Sequence, residues 1–122
     1  MKVTLENLAL ATKQQIFDQV ATHLLTQEVK SATATGSCKY RYNGLMCAAG
    51  CLMSDDEYKD SFEGASWVRL AYAGQVPEQN KDFVQSLQRI HDTYKPSDWF
   101  ARLKILAEHN KLVFEEVKYN SL

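Results

Sequence analysis

"CKYRYNGLMCAAGCLMSDDEY", residues 38–58, holds all three cysteines of the chain, Cys38, Cys47 and Cys51, and its reading decides what kind of fold surrounds it. If the thiols ligate a metal, the segment staples a small module. If they pack, it is one wall of a core. "CKYRY" alternates and is rich in β-forming residues, and the "NG" that follows tolerates positive φ, so a tight turn is expected at Asn43–Gly44. "LMCAAGCLM" admits two backbones. A strand puts Leu45, Cys47, Ala49 and Cys51 on one face, whereas a short helix stacks Cys47 over Cys51 at i, i+4. Two alanines and Gly50 favour the short helix, since alanine is a strong helix former and glycine weakens a strand. Ser54 before "DDEY" then reads as a fresh N-cap with acids in the first turn, where the helix dipole favours them.

Upstream, "ATKQQIFDQVATHLLTQ" repeats Ile16, Val20 and Leu24 at four-residue steps, with Phe17, Ala21 and Leu25 beside them. That spacing is an amphipathic helix with one broad buried face, and Thr12 is its expected N-cap. His23 lies off the seam and reads as solvated. "KSATATGS" is a small, polar loop. Downstream, Trp67, Val68, Leu70 and Ala71 fall at helical spacing ended by Gly74 and Pro77. A further helix runs through Phe83, Leu87, Ile90 and Tyr94. The last has Ser97 as N-cap, a stripe of Trp99, Phe100, Leu103, Leu106 and Ala107, and Asn110 as a left-handed stop. The tail "LVFEEVKY" alternates as a strand would, and "CKYRY" is its natural partner. The expected fold is therefore α+β and predominantly α-helical: one domain over residues 1–122, four to five helices and a short β-hairpin or strand pair.

The totals agree. A chain of 122 residues suggests one domain, long enough to bury roughly two thirds of its unfolded surface without staples. Hydrophobic residues at 45% and charged residues at 24% are ordinary for a globular chain. A formal charge of −1, with basic residues scattered, lacks the basic excess that phosphate neutralisation demands, so nucleic acid is not expected as a direct partner. "MKVTLENLALATKQQ" is not a secretory signal, because Glu6 interrupts its apolar residues, and no apolar run reaches membrane-spanning length. An odd number of cysteines without an export signal points to the cytoplasm and reduced thiols.

"FDQVATHLLTQ", the 38–58 block and "LQRIHDTYKPSDWFARLKILAEH" resemble, in that order, a family of small, functionally uncharacterised proteins encoded by bacteriophages and their bacterial hosts. The resemblance covers residues 11–112. Its distinctive part is the aromatic–arginine pair, the glycine turn, the "CAxGCL" pattern and the acidic stretch ending in Tyr58. It carries no activity or catalytic residue. It implies a phage or prophage accessory protein acting in bacterial cytoplasm.

Three chemistries compete for the central block. A zinc site would take Cys38, Cys47 and Cys51 with His91 or His23, but it lacks the second close pair that structural sites use. A thiol nucleophile would be Cys47, with its pKa lowered at a helix start and served by His91 or His109 with Asp92 or Asn110, yet no nucleophile motif surrounds it. Small cysteines packed in a helix–hairpin contact are the reading we favour. His91–Asp92 reads as a hydrogen-bonded boundary pair rather than an acid–base couple. The acids of "SDDEYKDSFE" lack the order of a calcium loop, and Trp67 and Trp99 belong to the core. Arg41, between Tyr40 and Tyr42, lies on the opposite strand face and is placed to anchor a partner. The expectation is thus a non-enzymatic protein without a cofactor that binds a bacterial host protein through Tyr40, Arg41, Tyr42, Asp55, Asp56 and Tyr58. Homodimerisation is compatible with it. The alternatives are a zinc-stabilised binding module and a cysteine-dependent enzyme.

Overall fold

In the computed structural model, which describes residues 1–122, the first long helix is also the organiser of the fold. Helix α1 (Lys13–Gln27) opens with a complete capping box: the Thr12 hydroxyl accepts from the Gln15 N–H, and the Gln15 side chain accepts from the Thr12 N–H. Ile16, Phe17, Val20, Ala21 and Leu24 are buried, as the spacing predicts. The polar side of the same helix is equally committed. Gln14 accepts from Val113 N–H at 2.9 Å and donates to its carbonyl at 3.0 Å. Gln19 does the same to Val3, at 2.6 and 2.8 Å, and also donates to the Cys51 carbonyl at 2.9 Å. Gln27 pairs with Met46 at 3.1 and 2.9 Å. Three carboxamides thereby fix the N-terminal segment, the central hairpin and the C-terminal tail to one helix.

Helices α3 (Lys81–Thr93) and α4 (Trp99–His109) pack on α1 and on each other, while the short α2 (Trp67–Tyr72) lies on α3. Ser66 caps α2 by accepting from Arg69 N–H. A single cluster of 28 buried residues runs from Val3 to Tyr119 and includes Trp67 and Trp99, both fully enclosed. The sheet is one hairpin. Strand β1 (Arg41–Tyr42) pairs antiparallel with β2 (Leu45–Met46), with Arg41 opposite Met46 and Tyr42 opposite Leu45. The turn is the expected one: Asn43 and Gly44 both take positive φ, 49° and 81°. The fold is α+β and mainly helical.

Five local expectations are corrected. "LMCAAGCLM" is not a short α-helix. It continues from β2 into a turn and a 3-10 segment, Gly50–Leu52, although the Cys51 N–H still donates to the Cys47 carbonyl at 3.2 Å. Gly50 is there for tertiary reasons, since a Cβ would stand 2.1 Å from the Tyr40 carbonyl oxygen. Ser54 starts a single turn, not a helix. The Glu57 carboxylate that would have sat in its first turn instead accepts from the N–H groups of Ser54, Leu5 and Glu6, at 2.8, 3.0 and 2.9 Å. Ser97 lies inside a 3-10 turn, Pro96–Asp98, and Asp98 precedes α4 without a side-chain cap. Asn110 keeps φ −101° and donates its amide to the Leu106 carbonyl, so the left-handed residue is Lys111 at 56°. The tail forms no strand. It folds as α5 (Glu116–Asn120), because Phe114 wedges among Phe17, Phe100 and Tyr119, and the outward N–H of Arg41 is taken by Glu63.

Gln19→Ala is expected to cost about 2–3 kcal/mol, at about 1 kcal/mol for each of three hydrogen bonds, read as a lower urea midpoint with unchanged slope. Glu57 gives a pH signature. Burial alone would push its carboxyl up, but the three backbone N–H groups outweigh it and hold the carboxyl below the usual range. Its contribution is present above the unfolded pKa of about 4.3 and is lost as pH falls through the lower folded value. The stability gap between the natural chain and Glu57→Gln should therefore narrow in acid. A gap constant from pH 7 to 3 would show that the charge is not what holds the turn.

Candidate functional site

The three thiols are the first place to look for chemistry, and their surroundings quench it. Cys47 is fully buried among Ala48, Ala49 and Leu52, with its sulfur accepting from the Gly50 N–H at 3.3 Å. Burial pushes its thiol up, the opposite of the activation expected at a helix start, because no α-helix begins there. Cys51, 7% exposed, donates its S–H to the Ala48 carbonyl at 3.1 Å, and burial pushes it up to about 12. Cys38 is half-buried. Burial raises its pKa first, and the negative charge and hydrogen bond of Asp92 raise it further. None of the three is held as a thiolate near neutral pH.

The zinc set weighed from sequence as an alternative to packing, Cys38, Cys47, Cys51 and His91, does not come together as one group. Cys38 does meet His91, but the third member of the group is Asp92: one ligand atom from each lies within 4.8 Å of the others. The hydrogen bonds of His91 decide what this trio does. Its ring is fully enclosed and stacks on Trp99 at 5.5 Å, deeper than the boundary position expected. Nε2 accepts from the Ser31 N–H at 3.0 Å, which places the ring proton on Nδ1. Nδ1 donates it to Asp92 Oδ1 at 2.7 Å. A zinc ion on Nδ1 would move that proton to Nε2, aimed directly at the Ser31 N–H. Two donors would face each other, so the ring suits a hydrogen-bond chain and not ligation. The chain continues: Gln88 donates to the same Asp92 oxygen at 2.9 Å and accepts from the Ala49 N–H at 2.9 Å. It ties α3 to the loop at Ser31 and to the residues following β2. A polar cleft of about 240 Å³ opens beside it, lined by Cys38, Glu63, Gln85 and Asp92 among others.

The residues expected to meet a partner divide into two groups. Tyr40 is buried, its hydroxyl donating to the Ala65 carbonyl at 2.6 Å and its ring edge-on to Trp67. Arg41 is only 19% exposed and anchors its own chain: it donates to the Met53 carbonyl at 2.6 Å, to Gly50 at 3.3 Å and to Asp55 at 2.6 Å. Strand alternation did place Arg41 on the face away from Tyr40, but the backbone of residues 50–53 returns across that face. Tyr58 donates its hydroxyl to Glu63 at 2.6 Å. Those three are scaffold. Tyr42 is half-buried, Asp56 is exposed, and Asp55 is 94% exposed despite its ion pair with Arg41.

A larger cleft, of about 880 Å³, lies between α1 and residues 41–55, and sequence reasoning missed it. Thr22 and His23 of α1 form one wall, while Met46 and Met53 with Arg41 and Asp55 form the other. His23 is not solvated as expected. It is half-buried, its Nε2 is 2.8 Å from the Met46 carbonyl, and burial lowers its pKa. Nothing periodic relates positions 23, 46 and 53, so only the closing of the hairpin onto α1 could reveal the cavity.

Compared with known proteins, the chain matches no family model, no curated protein and no solved structure. The thiol environments can be tested directly. In the native protein at neutral pH an alkylating reagent should label Cys38 alone, no faster than a free thiol, with Cys47 and Cys51 labelled only in denaturant. Rapid native labelling of Cys47 would contradict its enclosure.

Proposed function

We propose that the chain is a non-enzymatic accessory protein of the phage-encoded type that binds a protein of the bacterial host in the host cytoplasm. The observation that carries this reading is the cleft of about 880 Å³ between α1 and residues 41–55, with the exposed carboxylate Asp55 in its lining and exposed Asp56 next to it in the chain. A concave surface with an apolar floor and a charged rim is of the kind protein partners use. The raised thiols and the engaged His91 remove support from a cysteine-dependent enzyme. The resemblance of residues 11–112 to phage and prophage proteins supplies the context. The contact set shrinks to Tyr42, Asp55 and Asp56, with Tyr40, Arg41 and Tyr58 acting as the frame that presents them.

The test is site-specific photocrosslinking in bacterial cells, with the photoreactive residue placed at Tyr42 or Asp56 and, for comparison, at Arg89 or Glu108 on α3 and α4. A discrete adduct with one host protein from the first pair and not from the second is expected. Adducts of equal yield from all four positions, or none from Tyr42 and Asp56, would sink the proposal.

A further inference from the structure

The chain has three methionines, Met1, Met46 and Met53, far apart in sequence, and all three line the cleft between α1 and residues 41–55. His23 lines it too. The two buried-side histidines of the molecule are opposites. His91 has both ring nitrogens occupied. His23 has one occupied: a carbonyl can only accept, so the Nε2 facing Met46 O carries the proton, and Nδ1 is left with its lone pair. That Nδ1 makes no hydrogen bond within the chain, nor is it among the enclosed polar atoms lacking a partner. An imidazole whose N–H is fixed on a backbone carbonyl while the other nitrogen stands free has the orientation and tautomer found in metal-bound histidines. Burial favours its neutral form, in which the lone pair is available.

We propose that this cleft binds a soft monovalent metal ion of the copper(I) or silver(I) class, through His23 Nδ1 and the thioether sulfurs of Met46 and Met53. Thioethers are neutral, soft donors that select such ions over zinc, magnesium or calcium. Of the hard donors nearby, Asp18 already accepts from Gln14 and Asp55 pairs with Arg41, each through one carboxylate oxygen. Cys51 lines the same cavity with its S–H donated to the Ala48 carbonyl, and on losing that proton to the metal it would add a further soft donor. The site sits in the wall of the cleft and does not depend on the cleft having a protein partner.

The experiment is a silver(I) titration in chloride-free buffer of protein carrying ¹³C in its methionine methyl groups, run on Cys38→Ser so that the half-buried thiol outside the cleft does not compete. One equivalent of silver should shift the Met46 and Met53 methyl resonances. His23→Gln keeps an N–H for the Met46 carbonyl but lacks the imidazole nitrogen. It should weaken binding by more than about tenfold, a loss that even outer-sphere partners of a metal can cause. Met46→Leu, which conserves volume, should do the same. Unmoved methyl resonances at one equivalent, or unchanged affinity in His23→Gln, would overturn the site, and neither result touches the crosslinking test above.

Discussion

A glutamine carboxamide has the same donor and acceptor pair as a peptide group, and α1 uses that equivalence three times. Gln14, Gln19 and Gln27 each hold the N–H and the carbonyl of a single residue, in the tail, the N-terminal segment and the hairpin respectively. Segments too short to form a sheet with one another thus find their backbone partners on a helix. This matters because an unpaired backbone group at a partly buried surface costs as much as a lost hydrogen bond. The apolar face of α1 supplies the core. Its polar face supplies the addresses at which the irregular half of the chain is attached.

Glutamate does the same work where two or three N–H groups need an acceptor. Glu57 gathers Ser54, Leu5 and Glu6, and Glu63 gathers Tyr40 and Arg41 while receiving the Tyr58 hydroxyl. Together with the Gln88–Asp92–His91 chain, these contacts explain how residues 38–63 stay ordered with only two short strands and isolated turns. Both candidate clefts are by-products of that arrangement. The polar one opens beside the Asp92 chain, and the methionine-lined one lies where the hairpin stands off α1.

The parts of this fold that rest on local pattern were legible. The period of α1, the Thr12 cap, the Asn43–Gly44 turn, the stripes of α3 and α4 and the burial of Trp67 and Trp99 all follow from spacing and turn chemistry. Ser97 and Asn110 failed locally, in a 3-10 turn and in a bond back to Leu106, while the other failures share one cause: a distant group took over the position. Gly50 looked like a weak strand residue when it was the point where Tyr40 comes closest. Ser54 looked like a cap because acids follow it where a first turn would lie, but one of them, Glu57, also takes the N–H groups of the N-terminal segment. The tail alternated like a strand, yet its aromatic residues had a better home against α1 and α4. Arg41 looked like a surface anchor because its carbonyl partners lie about ten residues further on. At the sites the same limit applies, since single histidines and methionines carry no spacing signal until the hairpin closes.

The treatment of the hairpin has a consequence for how the protein behaves in a crowded solution. Its strands have only two residues each, and an unpaired strand margin invites a neighbouring molecule to add a strand of its own. Here the outward N–H of Arg41 is already bonded to Glu63, and both outward groups of Met46 to Gln27. A third strand would have to displace a carboxylate on one side and a carboxamide on the other. Growth of the sheet is therefore hindered at both margins, more firmly along β2, where N–H and carbonyl are both taken, than along β1.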